Sequence, residues 1–207
     1  MDDRLSIFLK SNNLAIALDV DQVIAAAFEQ IIIDQNAKNR TKHTIMELKE
    51  YPTSGRPLFS DWTENMENAY DRIWNENWRE IKSIADPILL NDLCAKLKVD
   101  LVSSRGDRAA LPLNLWLNLN YPKLNVKKVI IPKHADKTEL PYKLFIDDAP
   151  RLAQRVCELG DRMLLLIDAP YNKNIEESKN IIRFNNVNYA MKALILSIDK
   201  INKHYNA

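Results

Sequence analysis

The sequence predicts an α/β protein: a parallel sheet of about five strands flanked by helices, with a helical insertion after the first strand. Short apolar runs at 14–18, 99–102, 127–131, 142–146 and 163–167 alternate with longer stretches of helical periodicity. The runs end in polar residues, mostly acids or hydroxyls, and in open α/β sheets the carboxyl ends of the strands are where ligands bind. No strand pattern occurs from about 24 to 98, so that segment reads as helices inserted between the first strand and the second.

Composition narrows the choices. At 207 residues the chain is one medium domain, or one with an insertion, large enough to bury a real core. Lys and Arg number 29 against 28 acids, a net charge of +1, which supplies no broad basic groove for nucleic acid. The 2 cysteines, Cys94 and Cys157, lie far apart in apolar helical contexts, so neither a disulfide framework nor a zinc site is expected. A reducing cytoplasm is their natural setting. The N-terminal residues are acidic and no long apolar segment follows, so neither secretion nor a membrane span is expected. The 3 glycines, Gly55, Gly106 and Gly160, exclude a P-loop, a Gly-x-Gly-x-x-Gly turn and a Gly-x-Ser-x-Gly elbow.

Leu14 begins an apolar run that passes directly into Asp19 and Asp21. Strand geometry puts these two carboxylates on one side and turns Val20 back to the core. They repel each other and any anionic substrate unless a cation sits between them. Segment 23–33 is apolar almost all round, with Ala25, Ala26 and Ala27, and reads as a buried helix starting at the aspartates, its N-terminal amides facing the same spot. Polar residues 34–43 read as a solvated helix face, and Pro52, Gly55 and Pro57 mark a loop over 51–60. A long helix is expected over 61–83, capped by Ser60 or Asp61. Its stripe is Trp62, Met66, Tyr70, Ile73, Trp74, Trp78 and Ile81. Tryptophans at this spacing are packing residues more often than ligands; the sharper alternative is stacking on an aromatic base. Asp86 and Pro87 open another helix with Ile88, Leu89, Leu93 and Leu97 inward. Such an insertion sits over the carboxyl end of the sheet, where it can act as a lid.

The second strand ends in Ser103, Ser104, Arg105 and Gly106, whose hydroxyls suit a phosphate. A short helix over 111–119 holds Trp116. The third strand is closed by Pro132, and a loop from His134 to Glu139 carries Lys137. The fourth strand runs into Asp147 and Asp148, adjacent carboxylates that are costly to bury without a cation. A helix over 150–159, stopped by Gly160, leads to the fifth strand. The last helix, 187–204, packs through Val187, Met191, Leu194, Ile195, Ile198 and Ile201. One locus thus collects Asp19, Asp21, Ser103, Lys137, Asp147 and Asp148. Carboxylates without histidine suit Mg²⁺ rather than zinc, and the lysine and serine supply donors for a phosphoryl group.

The order Asp-x-Asp, Ser after an apolar strand, Lys, then Ile-Asp-Asp resembles the four motifs of haloacid dehalogenase (HAD) superfamily phosphatases. Asp136-Lys137-Thr138 shortly before Asp147 and Asp148 is similar to the 5'(3')-deoxyribonucleotidases. Segment 166–172 (Leu-Ile-Asp-Ala-Pro-Tyr-Asn), followed by Arg183-Phe-Asn-Asn, resembles their bacterial branch. Gln22 departs from the glycine usual in the first motif, which implies a tighter loop, and Ser103 replaces the commoner threonine while keeping the hydroxyl. The resemblance implies a Rossmann-like core of 1–33 and 99–207 with a helical cap of 34–98. It implies an Mg²⁺-dependent phosphomonoester hydrolase working through an aspartyl-phosphate. Asp19 would be the nucleophile and Asp21 the general acid and base. Asp19, the carbonyl of Asp21 and Asp148 would hold the metal, with Asp147 behind them or exchanging roles with Asp148. Ser103, Ser104 and Lys137 would bind phosphoryl oxygens. The implied substrate is a (deoxy)nucleoside monophosphate with its base against Tyr70, Trp74 or Trp78. The alternatives are a different small phosphorylated metabolite, or a phosphate-binding protein of this fold without turnover. A homodimer is left open.

Overall fold

Six short apolar runs pair into one parallel sheet in a computed structural model that describes residues 3–11, 15–52, 55–105, 110–133 and 135–205, with 204 and 205 described by backbone alone. Leu14, Gly106 and His134 lie outside the described residues. The strands are β1 (Ala15–Leu18), β2 (Lys98–Ser103), β3 (Lys127–Ile130), β4 (Leu144–Asp147), β5 (Met163–Ile167) and β6 (Ile181–Phe184). Their order is β3-β2-β1-β4-β5-β6, all parallel. The expected α/β class holds, with six strands rather than five. The extra strand, β6, buries only Ile181 and Ile182 before Arg183, too short an apolar run to stand out in sequence.

Alternate side chains divide between two faces. Ile16, Leu18, Leu144, Ile146, Leu165 and Ile167 enter one core, while Ala17, Phe145, Leu164 and Leu166 enter the other. Helix α6 (Pro150–Leu159) contributes Leu152, Ala153 and Val156 to the second core. Its end is Gly160 at φ 72°, as the sequence reading expects. Helix α7 (Val187–Tyr205) packs against β5 and β6 on the first face. It is flanked by α1 (Asp3–Lys10), an unanticipated helix that buries Leu5 and Leu9, and by α4 (Pro87–Lys96). Asp86 caps α4 by accepting from Ile88 N at 2.8 Å. Helix α5 (Ala110–Asn120) precedes β3 and buries Trp116.

Between β1 and β2 the regular elements of the described chain are helices, apart from isolated bridges, but two helices begin later than periodicity suggests. Helix α2 is Ala27–Asn39, not a helix from 23. Gln22 takes φ 59°, and the amides of Ile24 and Ala25 both turn back to Val20 O at 2.9 and 2.8 Å. The α2 amides therefore start some residues beyond the aspartates. Gln22 serves as a remote cap: its Oε1 accepts from Phe28 N at 2.7 Å, and its Nε2 donates to Glu29 at 2.7 Å. Helix α3 is Met66–Glu76, capped by Asn65 rather than by Ser60 or Asp61. Trp62 is instead buried in the approach, its indole donating to Thr41 Oγ1 at 3.0 Å. Trp78 falls in a separate 3₁₀ turn, Trp78–Glu80. Helix α3 packs against α2 and α5, whereas α4 packs against α7 and β2.

From β1 the chain fills one side of the sheet with β2 and β3, then crosses to the other with β4, β5 and β6. The carboxyl ends of β1 and β4 thus meet at the topological switch point, where such folds bind ligands. Among the described residues no helix is long and apolar enough to cross a membrane. Gln22→Ala keeps the left-handed turn but loses the cap on α2, so it is expected to destabilise the protein by about 1 kcal/mol in denaturant unfolding.

Candidate active site

Strand register brings the first carboxylates together. Leu18 pairs with Ile146, so Asp19 and Asp147 leave adjacent strand ends side by side, and Asp19 N donates to Ile146 O at 2.9 Å. Oxygens of Asp19, Asp147 and Asp148 lie within 4.8 Å of one another, close enough to ligate one cation. All three residues are buried. Lys137 stands between two of them, its Nζ 2.7 Å from Asp19 Oδ1 and 2.6 Å from Asp147 Oδ2. Asp147 spends its other oxygen on the amide of Ala149 at 2.9 Å.

The segment that aims Lys137 is short and well braced. Lys137 opens a 3₁₀ turn, Lys137–Glu139, capped by Asp136, which accepts from Thr138 N at 2.8 Å and Thr138 Oγ1 at 2.6 Å. Arg155 on α6 holds the other carboxylate oxygen of Asp136 at 2.9 Å. Asp148 is held from the far side. Tyr171 donates to its Oδ2, and Asn172 Nδ2 donates to its carbonyl at 2.9 Å. Arg183 in turn donates to Asn172 Oδ1 at 2.9 Å and Asn172 O at 2.8 Å. The 166–172 and Arg183 motifs therefore brace a site carboxylate, a task their spacing alone does not reveal.

Asp21 occupies a different setting. Arg105 grips it with Nε to Oδ2 at 2.8 Å and Nη2 to Oδ1 at 2.6 Å. Trp74 Nε1 donates to Oδ1 at 3.2 Å, and the Tyr70 hydroxyl donates to Oδ2. The guanidinium lies 3.6 Å over the Trp74 ring, and its side chain is 1% exposed. A buried cation over indole is worth about 2 kcal/mol or more. Arg105 is the residue that sequence reasoning missed. Its only signal was an arginine just past the end of a buried strand.

A cavity of about 230 Å³ opens over these groups, lined by Asp19, Asp21, Ser104 and Lys137, with Met66 and Tyr70 of α3 among its walls. Ser104 faces the cavity; Ser103, 2% exposed, closes β2 and is not among the lining residues. Of the aromatic residues offered as base-stacking candidates, Tyr70 lines the cavity. Trp74, 1% exposed, and Trp78, with Arg79 over its ring, do not. Trp74 is engaged with Asp21 and Arg105 instead.

Burial, then repulsion from Asp147 and Asp21, raises the Asp19 pKa to about 7 against the pull of Lys137. Burial and the charges of Asp147 and Asp19 push Asp148 well above the usual carboxylate range. Burial opposes the Lys137 ammonium, but Asp147 and Asp19 outweigh it and keep it charged. Three buried carboxylates against one lysine leave a donor set of hard oxygens that fits a divalent cation.

The sequence matches no protein-family model and no curated protein. Solved structures do match. A HAD family hydrolase from Deinococcus radiodurans R1, with bound phosphate and sodium, aligns with a TM-score of 0.57 at 13% identity, over 90% of this chain and 96% of that one. The chain is similar in fold to that structure. CbbY from Rhodobacter sphaeroides, in complex with phosphate, aligns at 0.48 and 11% identity, over 85% of this chain and 95% of that one. A haloacid dehalogenase-like family hydrolase from Xanthomonas campestris aligns at 0.48 and 11%, over 90% and 98%. At 13% identity the likeness to the first of these is one of fold alone.

With no cation bound, the folded state keeps a proton on Asp19 that the unfolded chain has released. The folded form binds more protons, so stability in EDTA is expected to fall as pH rises from 3.8 to about 7. Thermal unfolding across that window should show a shallower slope for Asp19→Asn, and Mg²⁺ should suppress the loss in the native sequence.

Proposed function

We propose that the protein is a divalent-metal-dependent phosphomonoester hydrolase working through an aspartyl-phosphate on Asp19. The observation that carries this reading is the Asp19 carboxylate, at a cavity wall and at the switch point of the sheet, with Lys137 bridging it to Asp147. Asp19 attacks phosphorus through one oxygen, and the bond to the leaving oxygen breaks. Asp21 gives that leaving oxygen a proton, then takes one from the water that attacks the phospho-aspartate, releasing phosphate and restoring Asp19. Lys137 and the Ser104 hydroxyl hold phosphoryl oxygens and oppose the repulsion between two anions, with Ser103 supporting from the strand end.

Asp19, Asp148 and the carbonyl of Asp21 are the proposed holders of the metal, and Mg²⁺ is the ion that hard oxygen donors favour. Asp147, with one oxygen on Lys137 and the other on Ala149, supports from behind. When bound, the cation would neutralise the carboxylates and draw charge from the phosphoryl group. The proposed cap is residues 34–98 over a core of 1–33 and 99–207; within it α3 meets the cavity through Met66, Glu67 and Tyr70, and the loop before α3 does so through Tyr51 and Pro52. The two free cysteines fit a cytoplasmic setting.

The motifs at 136–138 and 144–148 support a (deoxy)nucleoside monophosphate as substrate. A second reading, a smaller phosphorylated metabolite, is favoured by the cavity of about 230 Å³, which is modest beside ligand pockets of roughly 300–1,000 Å³.

Phosphate release from nucleoside monophosphates and sugar phosphates, with Mg²⁺ and with EDTA, tests both. Mg²⁺-dependent release that favours deoxynucleotides is the expected outcome; release from sugar phosphates alone would discard the nucleotide and keep the mechanism. Asp19→Asn is expected to abolish turnover in a folded protein. Asp21→Asn is expected to lower turnover at least ~10²-fold. It also leaves Arg105 without its counter-charge, so circular dichroism must accompany that assay.

A further inference from the structure

Arg105 is the buried charge that the proposed chemistry leaves without a task. Asp21 presents four lone-pair positions. The structure fills them with Arg105 Nε and Nη2, Trp74 Nε1 and the Tyr70 hydroxyl. A carboxylate so engaged cannot exchange a proton with a leaving oxygen until some donor lets go. Tyr70 and Trp74 both belong to α3, while Arg105 follows β2 on the core. Tyr70 lines the cavity and Trp74 does not, so the Tyr70 hydroxyl is the donor that a substrate can displace.

We infer, building on the phosphatase reading above, that Arg105 is the positioning residue for Asp21. Its planar fork sets both the place and the plane of the carboxylate, and so keeps Asp21 aimed at the leaving oxygen while the Tyr70 hydroxyl exchanges for substrate. Two features suit it to that task. A bidentate guanidinium fixes orientation as a point charge does not. Its stacking at 3.6 Å on Trp74, with 1% of its side chain exposed, leaves the fork little freedom to swing.

Misplacing Asp21 harms the first step only where the leaving oxygen needs a proton. An alkyl phosphate needs one and a dinitrophenyl phosphate does not. The Mg²⁺-loaded protein, Arg105→Lys and Arg105→Met are compared by kcat/KM on both substrates, with circular dichroism as the fold control. In Arg105→Lys, which keeps a charge but loses the fork, kcat/KM on the alkyl phosphate is expected to fall about tenfold, and the aryl-to-alkyl ratio to rise by a similar factor. Arg105→Met should exceed this. Should it fail to fold, Arg105→Lys carries the test alone. Equal losses on both substrates, or an unchanged ratio, would assign Arg105 a purely structural role and overturn the inference while sparing the phosphatase reading. A native protein that hydrolyses neither substrate would overturn both.

Discussion

Three carboxylates buried beside a single lysine set the terms for the rest of the molecule. Asp19, Asp147 and Asp148 gather their oxygens within 4.8 Å, an arrangement that repels itself unless positive charge is supplied. Lys137 supplies part of it, and its own placement depends on the Asp136 cap and on Arg155 behind that cap. Asp148 depends on Tyr171 and Asn172, and Asn172 on Arg183. Much of the polar structure around β4, β5 and β6 can thus be traced to the need to hold like charges together. The unmet remainder suits a cation and an attacking carboxylate, which is the electrostatic condition for phosphoryl chemistry.

A second, separate charge system ties the helical insertion to the sheet. Asp21 and Arg105 belong to the core, but their pairing is completed by Tyr70 and Trp74 from α3. The same helix supplies Asp71, whose carboxylate meets Lys133 beyond β3 at 3.1 Å. Helix α3 is therefore anchored to the core through polar contacts at the cavity as well as through apolar packing on α2 and α5. Polar contacts of this kind can be exchanged for a ligand with less loss than a dry interface, because the ligand and water can replace the hydrogen bonds. A covering element attached in this way can respond to what enters beneath it.

Local signals served well where one residue type had one physical job. Asp86 before Pro87 capped α4, Gly160 ended α6, and short apolar runs became strands of the sheet. They served poorly where the job was decided at long range. Gln22 occupies a left-handed turn usually given to glycine, so apolar residues 23–26 became a buried turn rather than the first turn of α2. Trp62 looked like the first residue of a helical stripe but is held by Thr41, and α3 starts only at Met66. Trp74 had the spacing of a packing residue and the chemistry of a base platform; its indole NH instead completes the shell of Asp21.

The sequence by itself determined the α/β class, the helical insertion, and the grouping of Asp19, Asp21, Lys137, Asp147 and Asp148. It could do so because strand ends carry their chemistry in adjacent residues, and parallel strands must place those ends at one edge of the sheet. Tertiary structure alone decided which charges pair. Lys137 bridges Asp19 and Asp147, Arg105 takes Asp21, and Tyr171 takes Asp148. Those partners stand up to 118 residues apart along the chain, as Asp19 and Lys137 do, so no local periodicity records them. They meet because β1 lies between β2 and β4, a neighbour relation set by packing the whole sheet between its helices.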